Sequence, residues 1–182
     1  DPIMRKYFKD GERRALELGN RGPIKFSANG KLADEILEAY SENGFYVFED
    51  VLCTDELNDL ENDLFSILER LPKHKGSLTD KNGQPALGTN CKAPTLFWSK
   101  PLGDPFGGTS LANGRHPVKM NEPTPANDAP PEVVYLILGS LQFSEACLRT
   151  YGHPELLKVA AAINGEDFVP FTEALFIKEP GI

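Results

Sequence analysis

Phe168-Val-Pro-Phe-Thr-Glu-Ala-Leu-Phe-Ile-Lys178-Glu-Pro-Gly-Ile182 is the stretch whose reading decides the fold. Aromatic and β-branched residues over 172–178 give it strand composition, and Pro180-Gly181 marks an exit. Alternation puts Thr172, Ala174, Phe176 and Lys178 on one face, with Glu173, Leu175 and Ile177 on the other. A lysine that shares a face with Phe176 can carry an ammonium to an apolar pocket. A dicarboxylate there would need such a cation for charge-assisted hydrogen bonds. A strand-end lysine that stretches its stem to water is the plainer alternative, and residue type alone leaves both open. Unpaired, the 171–177 strand would be an exposed apolar edge, so further chain or a second chain is expected to cover it.

Upstream of this strand the periodicity turns helical. Pro154, Leu156, Leu157, Val159, Ala160 and Ile163 predict a helix that ends at Asn164-Gly165. Val133, Val134, Ile137, Leu138, Leu141, Ala146 and Leu148 predict another over 131–148, bent at Gly139 and closed by Gly152. Leu32, Ile36 and Tyr40 recur every four residues in a predicted helix over 31–43, closed by Gly44. A short strand over 45–48 follows. Thr54 then caps a helix with Leu57, Leu60, Leu64, Ile67, Leu68 and Leu71 on one face, stopped by Pro72. Residues 1–30 read as a polar arm with a short helix over 9–18. Residues 73–130, dense in Gly, Pro, Asn and Lys, form a long loop. Within it Ala93-Pro-Thr-Leu-Phe97-Trp98 is apolar and is expected to be ordered. Phe97 and Trp98 are candidates for a pocket mouth, with packing at the surface the alternative. The expected organisation is one domain: arm 1–30, helix–strand–helix 31–72, loop 73–130, helices 131–165, core strands 166–182.

Composition limits the function classes. The chain has 182 residues, 40% hydrophobic and 25% charged, with net charge −8 and pI near 4.9. That charge gives no footprint for nucleic acid, which needs clustered Lys and Arg. No apolar run reaches the roughly 18 residues of a membrane span, and no apolar leader stands at the N-terminus, so neither a membrane partner nor a signal peptide is expected. Cys53, Cys91 and Cys147 are odd in number, widely spaced and free of any C-x-x-C, which predicts reduced, mostly buried thiols and a cytoplasmic setting.

Several motifs have plainer explanations than chemistry. His153-Pro-Glu155 imitates two ligands of a 2-His-1-carboxylate site, but Pro154 at a helix start makes His153 a capping or packing residue. His74 and His116 stand alone in loops. Asp80-Lys-Asn82-Gly83 opens like a calcium loop, yet its Gly is fourth and Cys91 stands twelfth, so a tight turn is expected. Gly107-Gly108-Thr109-Ser110 lacks the Gly-Lys of a P-loop. No Gly-x-Ser-x-Gly elbow is present.

Three segments, in order, point to one family. Asn43-Gly-Phe-Tyr-Val-Phe-Glu-Asp-Val-Leu-Cys-Thr-Asp-Glu-Leu57 resembles the opening strand, loop and acidic-capped helix of the phytanoyl-CoA dioxygenase family. Tyr151-Gly-His-Pro-Glu-Leu-Leu through Asn164-Gly165 resembles its His-Pro helix, and Ala174-Leu-Phe-Ile-Lys-Glu-Pro180 resembles its Lys-x-Pro strand. The resemblance covers roughly a third of the chain and leaves out 73–130. It implies an α+β fold: a helical flank plus the first strands of a double-stranded β-helix core, incomplete in this chain. It implies an Fe(II)- and 2-oxoglutarate-dependent dioxygenase that hydroxylates a small organic substrate, with Lys178 contacting 2-oxoglutarate and Phe176, Trp98 and Phe97 lining the substrate pocket. The His-x-Asp and distal His that hold iron in that family are not in these residues and are expected beyond Ile182, so the chain alone is expected inactive. Its expected partners are the substrate and either the remaining catalytic half or a second chain. Two alternatives stand beside this: a non-catalytic relative acting as a binding or scaffold protein, and an unrelated α+β domain.

Overall fold

The computed structural model describes residues 2–91, 95–101 and 125–178. In chain order its elements are α1 (Pro2–Leu16), β1 (Arg21–Pro23), α2 (Asp34–Asn43), β2 (Val47–Glu49), α3 (Thr54–Glu69), β3 (Leu96–Ser99), β4 (Val133–Leu138), α4 (Glu145–Tyr151), α5 (Pro154–Asn164) and β5 (Ala174–Phe176). The mixture of helices and small sheets is α+β. The chain divides into two compact units, residues 1–58 with 149–170, and residues 59–148 with 171–182.

The first unit is built on α2. The four-residue recurrence works as expected: Leu32 and Ile36 are buried, and with Ala33 and Val159 of α5 they form a core. Ile24, Phe26, Leu37, Tyr46 and Phe48 pack against it. Gly44 ends α2 in the left-handed conformation (φ 79°) and donates its N–H to Tyr40 O at 2.8 Å. The strand expected over 45–48 falls at 47–49, where β2 pairs in parallel with β1. The buried Asn20 secures this turn of chain by donating from Nδ2 to Phe45 O at 3.1 Å. The expected short helix over 9–18 is instead the longer α1, none of whose residues is buried.

The start of α3 corrects a capping expectation. Thr54 is the first helical residue, and Cys53 takes the cap position, its carbonyl accepting Leu57 N at 3.0 Å. Glu56 Oε2 reaches back to accept the Cys53 N–H at 2.8 Å. This is the reciprocal half of a capping box with a cysteine in the place usually held by serine or threonine. Further along, α3 enters the second unit, where Ile67 is 1% exposed while Phe65 is exposed.

The second unit is a three-stranded antiparallel sheet of order β3-β4-β5. β4 overturns the helix expected over 131–148. Val133-Val-Tyr-Leu-Ile-Leu138 is a six-residue run of β-branched, aromatic and leucine side chains. A strand buried on both faces has no two-residue alternation to display, so its spacing resembles a helical one. Length and the stop at Gly139 (φ 79°) are what separate the two. After a 3-10 turn at Ser140–Gln142, only the 145–151 portion is α-helical, as α4. Its N-terminus is fixed from a distance: Asp63 Oδ2 of α3 accepts Ser144 Oγ at 2.7 Å and Ala146 N at 3.0 Å, and Ser144 Oγ accepts Cys147 N at 2.8 Å. The amides that a helix start leaves without a partner are thus met by side chains.

A bulge sets which residues of β4 face the core. Phe97 pairs with Leu136 but Trp98 pairs with Val134, so Tyr135 is the extra residue. Val134 and Ile137, three residues apart, therefore both join Ile67 and Leu87 in the buried cluster. Leu71, Leu96, Trp98, Phe143, Leu175 and Ile177 pack around it. Ile137 is fully enclosed at 0% exposure. Burial of such a side chain stabilises by about 1.5–3 kcal/mol. Nearby, Asp80-Lys-Asn82-Gly83 is the expected tight turn: the buried Asp80 accepts Asn82 N and Gln84 N through Oδ1 at 2.8 and 2.9 Å. Its carboxylate is occupied by the loop itself.

Candidate functional site

The three-stranded sheet has one face against the buried cluster and another with a different character. The pairs Phe97↔Leu136 and Leu136↔Phe176 place these three side chains in a row across the sheet, with Leu138↔Ala174 as a second row. Leu136 at the centre is buried, Phe97 is half-buried and Phe176 is 55% exposed. Exposure alternates along 172–178, and the predicted partition of the strand holds: Leu175 and Ile177 turn to the core, while Thr172, Ala174, Phe176 and Lys178 are exposed. Pairing continues past β5, since Ile177 donates its N–H to Tyr135 O at 2.9 Å. Lys178 thus lies on the side of the strand that bears Phe176.

The three residues expected to line one pocket do not share one. Phe97 and Phe176 flank Leu136, whereas Trp98 points to the opposite face, among Val134, Ile137 and Leu87. There Trp98 borders a cleft of about 180 Å³ with Leu71, Val134, Glu132 and Ile177, and a more open one of about 430 Å³ with Leu78, Leu96 and Cys91. The physical reason is the two-residue period of a strand: Phe97 and Trp98 are consecutive in β3 and so face opposite sides of the sheet. Sequence reasoning also missed Leu136, the centre of the apolar row, because it was assigned to a helix.

The expected decoys are explained by their surroundings. His153 takes the cap position of α5, but its side chain makes no capping hydrogen bond, and Nδ1 is buried without a partner. On the core side of β5, Glu173 Oε1 is likewise buried without a partner. His74 is exposed, with Nδ1 3.2 Å from Lys75 O. His116 and the 107–110 turn lie outside the described residues. The three cysteines are free, and none is buried: Cys53 is exposed and Cys91 and Cys147 are half-buried. The expectation of mostly buried thiols is corrected accordingly. The residues of the α3 start carry a marked electrostatic feature. The Cys53 backbone N–H, followed by the Cys53 side chain, holds the Glu56 carboxyl below its ordinary value, and His153 and Arg149 add to the effect.

Among the described residues no three His, Cys, Asp or Glu side chains come together in a way that could hold a metal ion. No described helix is long and apolar enough to cross a membrane. No family model, curated protein or solved structure matches this chain.

Proposed function

We propose that this chain is the N-terminal part of an Fe(II)- and 2-oxoglutarate-dependent dioxygenase acting on a small organic substrate. The observation that carries the reading is the second face of the β3-β4-β5 sheet: an apolar row of Phe97, Leu136 and Phe176, with the exposed Lys178 on the same side of its strand as Phe176. A β-helix core closes around such a face, and its first strands would supply an apolar wall with one cation. The ordered resemblance of the 43–57, 151–165 and 174–180 segments to the phytanoyl-CoA dioxygenase family supports the same reading.

Lys178 fits 2-oxoglutarate. Its Nζ would donate charge-assisted hydrogen bonds to the distal carboxylate, strengthened as the apolar row excludes water. The iron is a different matter. The described residues do not bring its ligands together, so the reading places them beyond Ile182 or on a second chain that covers the 171–177 strand. Phe97 and Phe176, not Trp98, are then the side chains that would meet substrate. The unpartnered buried polar atoms, His153 Nδ1 and Glu173 Oε1, play no part in this reading.

The test is the natural-length gene product supplied with Fe(II), 2-oxoglutarate and oxygen, with succinate as the readout. Turnover is expected, and Lys178→Ala is expected to raise the KM for 2-oxoglutarate by about 10- to 100-fold, the loss of one charged hydrogen bond of roughly 1.5–3 kcal/mol. Lys178→Arg should restore part of it. A protein that neither binds 2-oxoglutarate nor forms succinate would instead be the non-catalytic binding relative. An unchanged KM in Lys178→Ala would remove Lys178 from the site.

A further inference from the structure

We propose that Asn82 is a modification site, at which the folded protein deamidates spontaneously to isoaspartate ahead of its other described Asn-Gly pairs. Asn-Gly occurs five times in the sequence, at 29–30, 43–44, 82–83, 113–114 and 164–165. The glycine makes such a pair reactive, because without a Cβ its backbone nitrogen can approach the asparagine side chain closely. That nitrogen gives up its proton to solvent base and attacks the asparagine Cγ. The N–Cγ bond forms, the Cγ–Nδ2 bond breaks, and Nδ2 takes up a proton and leaves as ammonia. Water then opens the cyclic imide at either carbonyl carbon. The sum is asparagine plus water going to aspartate or isoaspartate plus ammonia, with nothing oxidised or reduced.

Local hydrogen bonds rank the pairs. Asn113-Gly114 lies outside the described residues. At the ends of α2 and α5 both reacting groups are held: Gly44 N donates to Tyr40 O and Gly165 N to Ala161 O, each at 2.8 Å. Asn43 Nδ2 and Asn164 Nδ2 donate back to Ala39 O and Ala160 O at 2.9 and 3.0 Å. At the third pair Asn29 Oδ1 accepts Ser27 Oγ at 2.6 Å and Lys31 N at 3.2 Å, and Gly30 N donates to Ser27 O at 2.9 Å. Asn82 differs. Its side chain is exposed and has no hydrogen-bond partner among the described residues, and Gly83 N donates to Asp80 O at 3.1 Å, the longest of the four glycine bonds. The product also matters most here. Isoaspartate adds a carbon to the main chain between 82 and 83, which moves Gly83 N and Gln84 N off Asp80 O and Oδ1 and sets a second carboxylate near the buried one. The bridges Pro72↔Asp80 and Thr79↔Pro85 close on this turn, so the modification loosens the loop that leads to the core residue Leu87. The proposal is independent of the oxygenase reading.

The experiment ages the intact chain at mildly alkaline pH, once native and once in urea, and follows each asparagine by peptide mapping with fragmentation that separates isoaspartate from aspartate. In the native chain Asn82 is expected to convert roughly 2- to 10-fold faster than Asn29, Asn43 or Asn164, the net worth of the one further hydrogen bond that each of those must break. In urea the advantage should shrink, because the bonds that rank the pairs are gone. Asn82→Gln, whose longer side chain closes the ring poorly, should form no isoaspartate at that position, and circular dichroism should match the parent because the side chain is exposed. The aged native fraction, which its added negative charge separates on anion-exchange resin, should melt below the parent. Native conversion no faster at Asn82 than at any of the other three would overturn the proposal. So would the same ratio of rates in urea, which would make the ranking a property of sequence and not of the fold. An aged fraction that melts with the parent would overturn the loosening of the loop.

Discussion

Glu56 does two jobs at the start of α3. It accepts the Cys53 N–H, and its negative charge stands in the first turn, where the helix dipole favours it. Because those contacts hold its pKa below the ordinary carboxylate value, the folded state binds its proton less readily than the unfolded chain does. The stability it contributes is therefore complete above the unfolded pKa and is lost as pH falls through the folded one. Glu56→Ala should lower Tm at neutral pH, and the gap from the parent should close in acid. Thermal melts at the two pH values check this, and a gap that stays constant would mean that the side chain acts without its charge. Thr54 looked like the cap by residue type, and a cysteine would not be chosen from sequence. The acid three residues after Cys53 was the legible half of the motif.

At the scale of elements, the bulge in β4 decides more than any helix does. It puts Val134 and Ile137 on one face, where Trp98 packs against their cluster, so Trp98→Ala should destabilise the fold by about 3 kcal/mol or more, the usual cost of removing a large core ring. Chemical denaturation checks the value. A loss below about 1 kcal/mol would return Trp98 to the role of a surface lid. The same element shows where sequence reading stops. α2, α3 and α5 were legible because each has one apolar stripe and a recognisable end, Gly44, Pro72 and Gly165 respectively. β5 was legible because one of its faces is polar enough to alternate. β4 has buried residues on both faces, and its run of Val, Tyr, Leu and Ile carries no period that distinguishes strand from helix. β3 was hidden in a loop rich in glycine and proline, since its pairing partner was misassigned. Of the candidate site, Lys178, Phe176 and Phe97 are readable, while Leu136 depends on a register that only the paired strands reveal; the separation of Trp98 from Phe97 follows from the strand period once 96–99 is a strand rather than a loop.

For the whole molecule, two cores of similar design stand on different logic. One gathers Leu32, Ala33, Ile36 and Val159 around a helix, and the other gathers Ile67, Leu87, Val134 and Ile137 under a sheet. The sheet's other face is the one with unmet demands, and the oxygenase reading is a statement about what should cover it. Charge is as unevenly distributed as apolar surface. A pI near 4.9 describes the sum of all side chains, but adsorption depends on what a surface meets first. With α1, which carries five cations against two carboxylates, as its basic end, this acidic protein should be retained at neutral pH and low ionic strength by cation-exchange as well as anion-exchange resin. Lys6→Gln/Lys9→Gln should lose only the former, although its isoelectric point is lower still. Purification behaviour thus becomes a direct readout of how charge is arranged along the chain, which the net figure conceals.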